Sequence, residues 1–280
     1  MMNHFIEANN GMRIPQLGFG SFDIAEEMVQ SVIQWAVDAG YRNIDTATRY
    51  ENERSVGQAL KKCGVARADL FVVSKIWPTA YDKPVRAIEF SLKQLDLDYL
   101  DAYLLHWPSS SEDRRYRAWE ALLTYREKGW FRSVGVSNFT AEQLQKLTDK
   151  FGVVPIMNQI ELHPWFQQRD LRAYCQARNI AISAWGPIFR GLIHEVPLLA
   201  ELGLKYGKSP VQVALRWHIQ HQHAVIPRST NRERIFANTQ IFDFALSDED
   251  MSLIDALENG RHFGGDPNTN DGANFTMPEI

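Results

Sequence analysis

Gln16-Leu17-Gly18-Phe19-Gly20-Ser21-Phe22-Asp23 opens the first of a series of strand-like segments, and its reading separates two folds. An open dinucleotide-binding sheet carries G-x-G-x-x-G in the turn after its first strand, where the third glycine lets helix and strand pack closely. Asp23 stands where that glycine is required. The signature fails, and the open, doubly wound sheet loses its sequence support.

Outward from this run, short apolar segments alternate with longer ones of helical period, the pattern of βα units feeding a parallel sheet. Strands are predicted at 16–18, 42–45, 70–75, 100–106, 132–136, 155–159, 181–184 and 224–226. Helices are predicted at 25–38, with Val29, Val32, Ile33 and Ala36 on one face, and at 84–95, with Val85, Ile88, Leu92 and Leu95. Gly40 and Gly152 stand where helix C-caps are expected. Eight such units can close as a barrel or spread as an open sheet, which periodicity does not separate; with the motifs below, the chain is read as an α/β protein, a (β/α)8 TIM barrel. Asn10-Gly11 favours a tight turn, so residues 1–15 are read as a hairpin preceding the barrel. No Pro/Gly/Ser-rich linker interrupts the rhythm, and 1–280 is taken as one domain. Its tail, 259–280, is rich in Gly, Asn and Asp and is expected to be a mobile loop beside an open pocket.

Composition excludes several classes of function. A net charge of −4 without a long Lys/Arg run offers no surface for nucleic acid or an anionic membrane. With only Cys63 and Cys175, there is no disulfide framework and no thiolate zinc site. The first residues lack the apolar core of a secretory signal, and no 18-residue apolar run occurs, so a soluble cytoplasmic protein is expected. Gly203, Gly207, Lys208 and Ser209 approximate a phosphate loop. Three residues rather than four separate the glycines and Pro210 follows, so the segment reads as a joint between helices.

Polar residues recur where the predicted strands end: Asp45, Lys75, His106, Ser137 with Asn138, Gln159, Trp185, and Arg228 with Ser229. In a parallel barrel these ends share one face, the face where barrel active sites are built. Taken singly, Asp45 and Lys75 read as well as surface charges, and His106 as a satisfied buried histidine. Their common register argues for a site.

Longer motifs point the same way. The run Gly40-Tyr41-Arg42-Asn43-Ile44-Asp45-Thr46-Ala47-Thr48-Arg49-Tyr50-Glu51-Asn52-Glu53 resembles the aldo-keto reductase signature. Leu105-His106-Trp107-Pro108, Gly135-Val136-Ser137-Asn138, Asn158-Gln159-Ile160-Glu161-Leu162-His163-Pro164 and Ile226-Pro227-Arg228-Ser229 resemble its later motifs in order. The tail segment Gly260-Arg261-His262-Phe263-Gly264-Gly265-Asp266-Pro267 is similar to the bacterial 2,5-diketo-D-gluconate reductase branch.

That resemblance implies a catalytic tetrad of Asp45, Tyr50, Lys75 and His106, with NADPH/NADP+ as cofactor. The chemistry is coherent on its own terms. A carbonyl accepting hydride becomes an alkoxide, so the site must deliver a proton and stabilise negative charge. A free tyrosine titrates near pH 10, and a neighbouring ammonium favours its phenolate. Tyr50 is thus the expected proton donor, Lys75 tunes it, Asp45 holds Lys75, and His106 orients the carbonyl.

By the same resemblance Ser137, Asn138 and Gln159 bind the nicotinamide carboxamide, Trp185 stacks on its ring, and Gly20, Ser21, Phe22 and Asp45 border it. The loop with Ile188, Arg190 and Gly191 covers the pyrophosphate, where Gly186 replaces a more usual serine. Arg228, Ser229, Thr230, Arg234 and Asn238 take the adenosine end and its 2′-phosphate, although Arg228 replaces a frequent lysine and Ala237 a frequent polar residue. Phe22, Trp77, His106 and Trp107 are expected to line the substrate pocket, with Phe189 either a wall or barrel packing. The expected partners are small carbonyl compounds (dicarbonyls, keto-sugars, keto acids), the expected state is a monomer, and no metal is expected.

Two rival functions are weighed. Glu161 and His163 could join Asp45 and His106 in the site of a metal-dependent barrel hydrolase. A non-catalytic cofactor-binding protein could use the same fold, and the complete tetrad argues against it. His218, His221 and His223 precede the last strand, which places them at the opposite end of the barrel.

Overall fold

The computed structural model describes residues 4–275; residues 1–3 of the expected hairpin segment and 276–280 of the tail lie outside it. Strands β1 (Phe5–Glu7) and β2 (Arg13–Pro15) form an antiparallel hairpin. Eight parallel strands follow: β3 (Gly18–Gly20), β4 (Asn43–Asp45), β5 (Phe71–Ile76), β6 (Leu100–Leu105), β7 (Phe131–Ser137), β8 (Met157–Glu161), β9 (Ala181–Trp185) and β10 (Ala224–Val225). Each pairs with its sequence neighbour. The Leu17–Val225 bridge and the Val225 N–H donated to the Gln16 carbonyl at 2.7 Å join the two edges. The sheet is closed, as expected of a (β/α)8 barrel.

Among the described residues ten α-helices surround it: α1 (Glu26–Asp38), α2 (Glu53–Lys62), α3 (Pro84–Leu95), α4 (Glu112–Glu127), α5 (Ala141–Phe151), α6 (Arg169–Gln176), α7 (Pro197–Tyr206), α8 (Pro210–Gln220), α9 (Arg232–Ala237) and α10 (Asp248–Asp255). Their ends follow local chemistry. Capping boxes Thr140/Gln143 and Ser209/Gln212 start α5 and α8, and left-handed Gly152 and Gly207 end α5 and α7. The segment 203–209 is therefore a helix-to-helix joint, as read from its spacing.

Alternation along the strands makes two cores. Phe71, Val73, Ala102, Leu104, Met157, Ala181 and Ala224 fill the barrel interior together with Ile14 of the hairpin, which plugs its lower end. Val72, Tyr103, Val134 and Ile182 face outward onto the helices, with Val29, Ile33, Ile88 and Leu122. All six residues of β5 and of β6 are buried, as a strand covered on both faces requires. The first barrel strand lies two residues beyond its predicted position. Gln16 instead turns its amide below the barrel, donating to the carbonyls of Ile219 (3.2 Å) and His223 (3.5 Å).

Candidate active site

The alternation that fills the interior sends Lys75, His106, Gln159 and Asp45 toward the barrel's upper end. Lys75 continues the inward series Phe71, Val73, and Gln159 stands two residues after Met157. Register brings them level, with Asp45 opposite Val73, Lys75 opposite Leu104 and Ser137 opposite Gln159.

Lys75 is wholly buried. Its Nζ donates to Asp45 Oδ1 at 2.6 Å, to the Thr46 carbonyl at 2.9 Å and to the Tyr50 hydroxyl at 3.2 Å. Burial works to lower the Lys75 pKa, but Asp45 and Tyr50 outweigh it and hold the ammonium charged above its ordinary range. Gln159 Nε2 donates to the other oxygen of Asp45 at 2.7 Å, so both carboxylate oxygens are engaged. Burial raises the Tyr50 pKa and the Lys75 ammonium opposes that rise, leaving the phenol protonated at neutral pH. Tyr50 ends a short 3-10 turn, Thr48–Tyr50, which the Thr48 hydroxyl ties to the Lys75 carbonyl at 3.2 Å.

His106 follows β6, edge-on to Tyr50 (centroids 5.6 Å apart) and to Trp77 (4.8 Å). Burial first, then the positive charges of Lys75 and Arg49, push its pKa well below the ordinary histidine value, so the ring is neutral. Its Nδ1 is buried without a partner. Exposed Phe22 leans on the Tyr50 ring at 5.1 Å, and Trp77 and Trp107 cluster with Phe275 of the tail. Phe189 is resolved as packing: it is fully buried against Trp165 and His163.

The residues expected to hold a nicotinamide ring are gathered, and some are already committed. Ser137 Oγ donates to the Gln159 carbonyl (2.7 Å), and Asn138 donates to the His106 carbonyl (2.9 Å). Trp185 Nε1 donates to Asn138 Oδ1 (2.8 Å), fixing the indole whose ring lies 5.5 Å from the Arg190 guanidinium. A β-carbon at Gly186 or Gly191, both at positive φ, would meet nothing within 4 Å, so the backbone after Trp185 is open. At Gly20 a β-carbon would approach the Ile226 carbonyl to 3.3 Å, and buried Ser21 accepts a 2.8 Å bond at its carbonyl from Asn52.

Arg228 departs from the expectation of a free phosphate ligand. Its Nε donates to the Phe22 carbonyl (3.0 Å) and its Nη2 to Asp23 Oδ2 (2.5 Å). Ser229 turns its hydroxyl to the Asn231 backbone, Thr230 and Arg234 are exposed, Asn238 is buried and Ile188 is half-buried. The metal arrangement weighed above is not formed. Glu161 pairs with His163 at 3.0 Å and accepts the backbone N–H groups of Phe263 and Gly264, both at 2.7 Å. Among the described residues no group of three or more His, Cys, Asp or Glu side chains is placed to hold an ion.

These contacts also correct the view of the tail as a mobile loop, as far as residue 275. Asp271 accepts from Ser109 Oγ and Ser110 Oγ, both at 2.6 Å, and Trp77 Nε1 donates to the Gly272 carbonyl at 2.8 Å. Gly272 is required there, because at φ +70° its β-carbon would lie 2.4 Å from that indole nitrogen. Sequence reasoning gave no role to two further residues, Glu53 and Arg49, and weighed a third, Glu161, only as a metal ligand. Glu53 is a buried carboxyl held by Ser74 and Ser91 at 2.5 Å, its pKa raised by burial. Arg49 stands at the pocket rim, and Glu161 anchors the tail. Only contacts distant in sequence reveal them.

Comparison with known proteins agrees with this geometry. The profile described as "Aldo/keto reductase family" matches residues 16–259. Methylglyoxal reductase DkgA of Escherichia coli (strain K12) is 40% identical over 264 residues, 94% of this chain and 96% of that protein. The crystal structure of an aldo/keto reductase from Brucella melitensis superimposes with a TM-score of 0.87 at 43% identity, covering 91% of this chain and 99% of that one. A Bombyx mori aldo-keto reductase solved in complex with NADP gives 0.85 at 35% identity, over 92% and 94%.

Proposed function

Because the chain belongs to the aldo/keto reductase family, whose members are oxidoreductases that use NADP(H), we propose that it reduces aldehydes and ketones to alcohols with Tyr50 as the proton donor. The observation that carries this reading is the chain Asp45–Lys75–Tyr50, buried at its first two members, in which an ammonium fixed by a carboxylate touches a phenol that remains protonated.

The residues present fit the cofactor, since open backbone at Gly186 and Gly191 follows an indole fixed by Asn138. Ser137, Asn138, Gln159 and Trp185 would hold the nicotinamide end, Ile188, Arg190 and Gly191 the pyrophosphate, and Arg228, Ser229, Thr230, Arg234 and Asn238 the 2′-phosphate end. When bound, NADPH supplies the hydride. Tyr50 then gives its proton to the carbonyl oxygen, and the adjacent Lys75 ammonium stabilises the phenolate left behind. Neutral His106 donates a hydrogen bond that orients the carbonyl and stabilises its developing charge. Phe22, Trp77 and Trp107 exclude water from the reacting centre and suit small dicarbonyls, keto-sugars and keto acids. The name of the Escherichia coli relative supports methylglyoxal as a first substrate.

Cys63 and Cys175 are buried and unpaired, which suits a reducing cytoplasm, and the proposed unit is a monomer. Among the described residues no helix is long and apolar enough to cross a membrane. The test is NADPH oxidation, followed by absorbance, with methylglyoxal, keto-sugars and keto acids, with and without a chelator. Turnover unaffected by the chelator supports the proposal; no turnover with any carbonyl refutes it.

A further inference from the structure

Arg49 sits on the turn that delivers Tyr50, immediately before it in the chain. Its guanidinium carbon lies 4.7 Å from the Phe275 ring centre and 5.8 Å from that of Trp77. Trp77 in turn meets His106 edge-on at 4.8 Å. The cation therefore adjoins the aromatic cluster that borders His106. Its charge is felt at both Tyr50 and His106. Carboxylates elsewhere hold arginines: Asp82 takes Arg114 and Arg117, and Asp101 takes Arg67 and Arg132. Among the described residues none pairs with Arg49. A guanidinium stacked on aromatic rings uses its faces and keeps the N–H donors at its edge, where they match the two oxygens of a carboxylate.

We propose that Arg49 reads a carboxylate on the substrate, so that the enzyme prefers carbonyl compounds that are also acids. The inference rests on the reductase reading above and deepens it by naming the substrate class. Carbonyl polarisation belongs to Tyr50 and His106, whereas Arg49 binds a second point of the same molecule and appears in KM. Any keto acid of suitable reach satisfies the chemistry, and a neutral ketone of the same shape does not.

The test compares levulinate and benzoylformate with their methyl esters, in wild type, Arg49→Met and Arg49→Lys. Dividing the acid's kcat/KM by that of its ester cancels general damage to Tyr50 or to the fold. That ratio should fall by about 10- to 100-fold in Arg49→Met, mainly through KM, as loss of a charge-assisted hydrogen-bonded pair predicts. Arg49→Lys should recover part of it. Equal losses for acid and ester, or no loss for either, would overturn the proposal and leave Arg49 as a support for the tail. Dihydroxyacetone phosphate distinguishes the anion: a preference for it over the acids that disappears in Arg49→Met would exclude carboxylate in favour of phosphate. Should wild type reduce methylglyoxal and the esters but not the acids, only this inference falls. Failure to reduce any carbonyl removes the reductase reading and the inference with it.

Discussion

Arg228 clasps Asp23: one guanidinium edge meets the carboxylate at 2.5 Å and the adjacent Nε takes the Phe22 carbonyl at 3.0 Å. The clasp joins the loop after β3 to the loop after β10, the two places where a dinucleotide would enter. If Arg228 takes the 2′-phosphate as proposed, that group must compete with Asp23 for it.

Asp23→Asn should accordingly tighten NADPH by about two- to fivefold, the scale of an exposed ion pair, and leave NADH unchanged. Arg234→Ala should weaken NADPH by about 10- to 150-fold with little effect on NADH. Fluorescence titration of both cofactors measures this. Weaker NADPH binding in Asp23→Asn would mean that Asp23 positions Arg228 for the phosphate rather than competing with it.

Tyr50→Phe removes one hydroxyl and keeps the ring against Phe22 and His106. We expect kcat to fall by several orders of magnitude with NADPH affinity within about twofold of wild type. Single-turnover kinetics beside cofactor titration makes the comparison, and near-normal turnover would remove Tyr50 from the mechanism.

Lys75→Met leaves the Asp45 charge buried with Gln159 as its remaining side-chain donor. Breaking such a pair costs about 3–5 kcal/mol, so the variant should unfold at distinctly lower denaturant, and the double change with Asp45→Asn should regain part of the loss. Additive losses in equilibrium unfolding would contradict a coupled pair.

The pH profile follows from two opposite shifts. Tyr50 is raised, chiefly by burial, so the proton donor stays loaded until the pH climbs through its elevated pKa; His106 is lowered, so it remains neutral down to acid pH. The kcat for carbonyl reduction should therefore be level from about pH 6 to about pH 8, while alcohol oxidation, which needs the phenolate, should rise with pH. A limb at the ordinary histidine value, about 6.5, would show that His106 titrates during turnover.

Glu161→Gln tests the anchorage of the tail. Burial works to raise the Glu161 pKa, but His163 and the two tail N–H groups outweigh it, and the net shift is downward. The contact is therefore strong above the ordinary carboxylate range and is lost as the pH falls through the depressed value. Amide exchange at Phe263 and Gly264 should accelerate by about tenfold or more in the variant. Unchanged exchange would place the anchor elsewhere, at Asp271 or Trp77.

Much of this was legible in the sequence because parity governs barrels. Each polar residue at a strand end inherits its direction from the apolar residue two places earlier, as Lys75 does from Val73. The failed third glycine at Asp23 weakened the open sheet, and the family motifs in order favoured closure. The first barrel strand was misplaced because three residues, two of them glycine, carry no period, and because buried Gln16 is satisfied only by carbonyls near residue 220. The tail looked loose for a related reason. Its Gly, Asn and Asp residues usually signal mobility, whereas here Asp271 and Gly272 are held by Ser109, Ser110 and Trp77. Arg49 received no role from the sequence, because the aromatic ring of Phe275 beside it lies far along the chain.

The closing seam of the barrel has a bearing on how the chain reaches this state. Gln16 finds its carbonyl partner 203 positions away, and every other strand pairs with its sequence neighbour. That junction closes the longest loop in the sheet, and loop entropy makes it the pairing least favoured to form before the others. The Asp23–Arg228 clasp spans the same junction on its upper side. A dinucleotide lying across it would hold together the last-formed part of the fold, and cofactor retention would then show itself as slower unfolding as well as tighter binding.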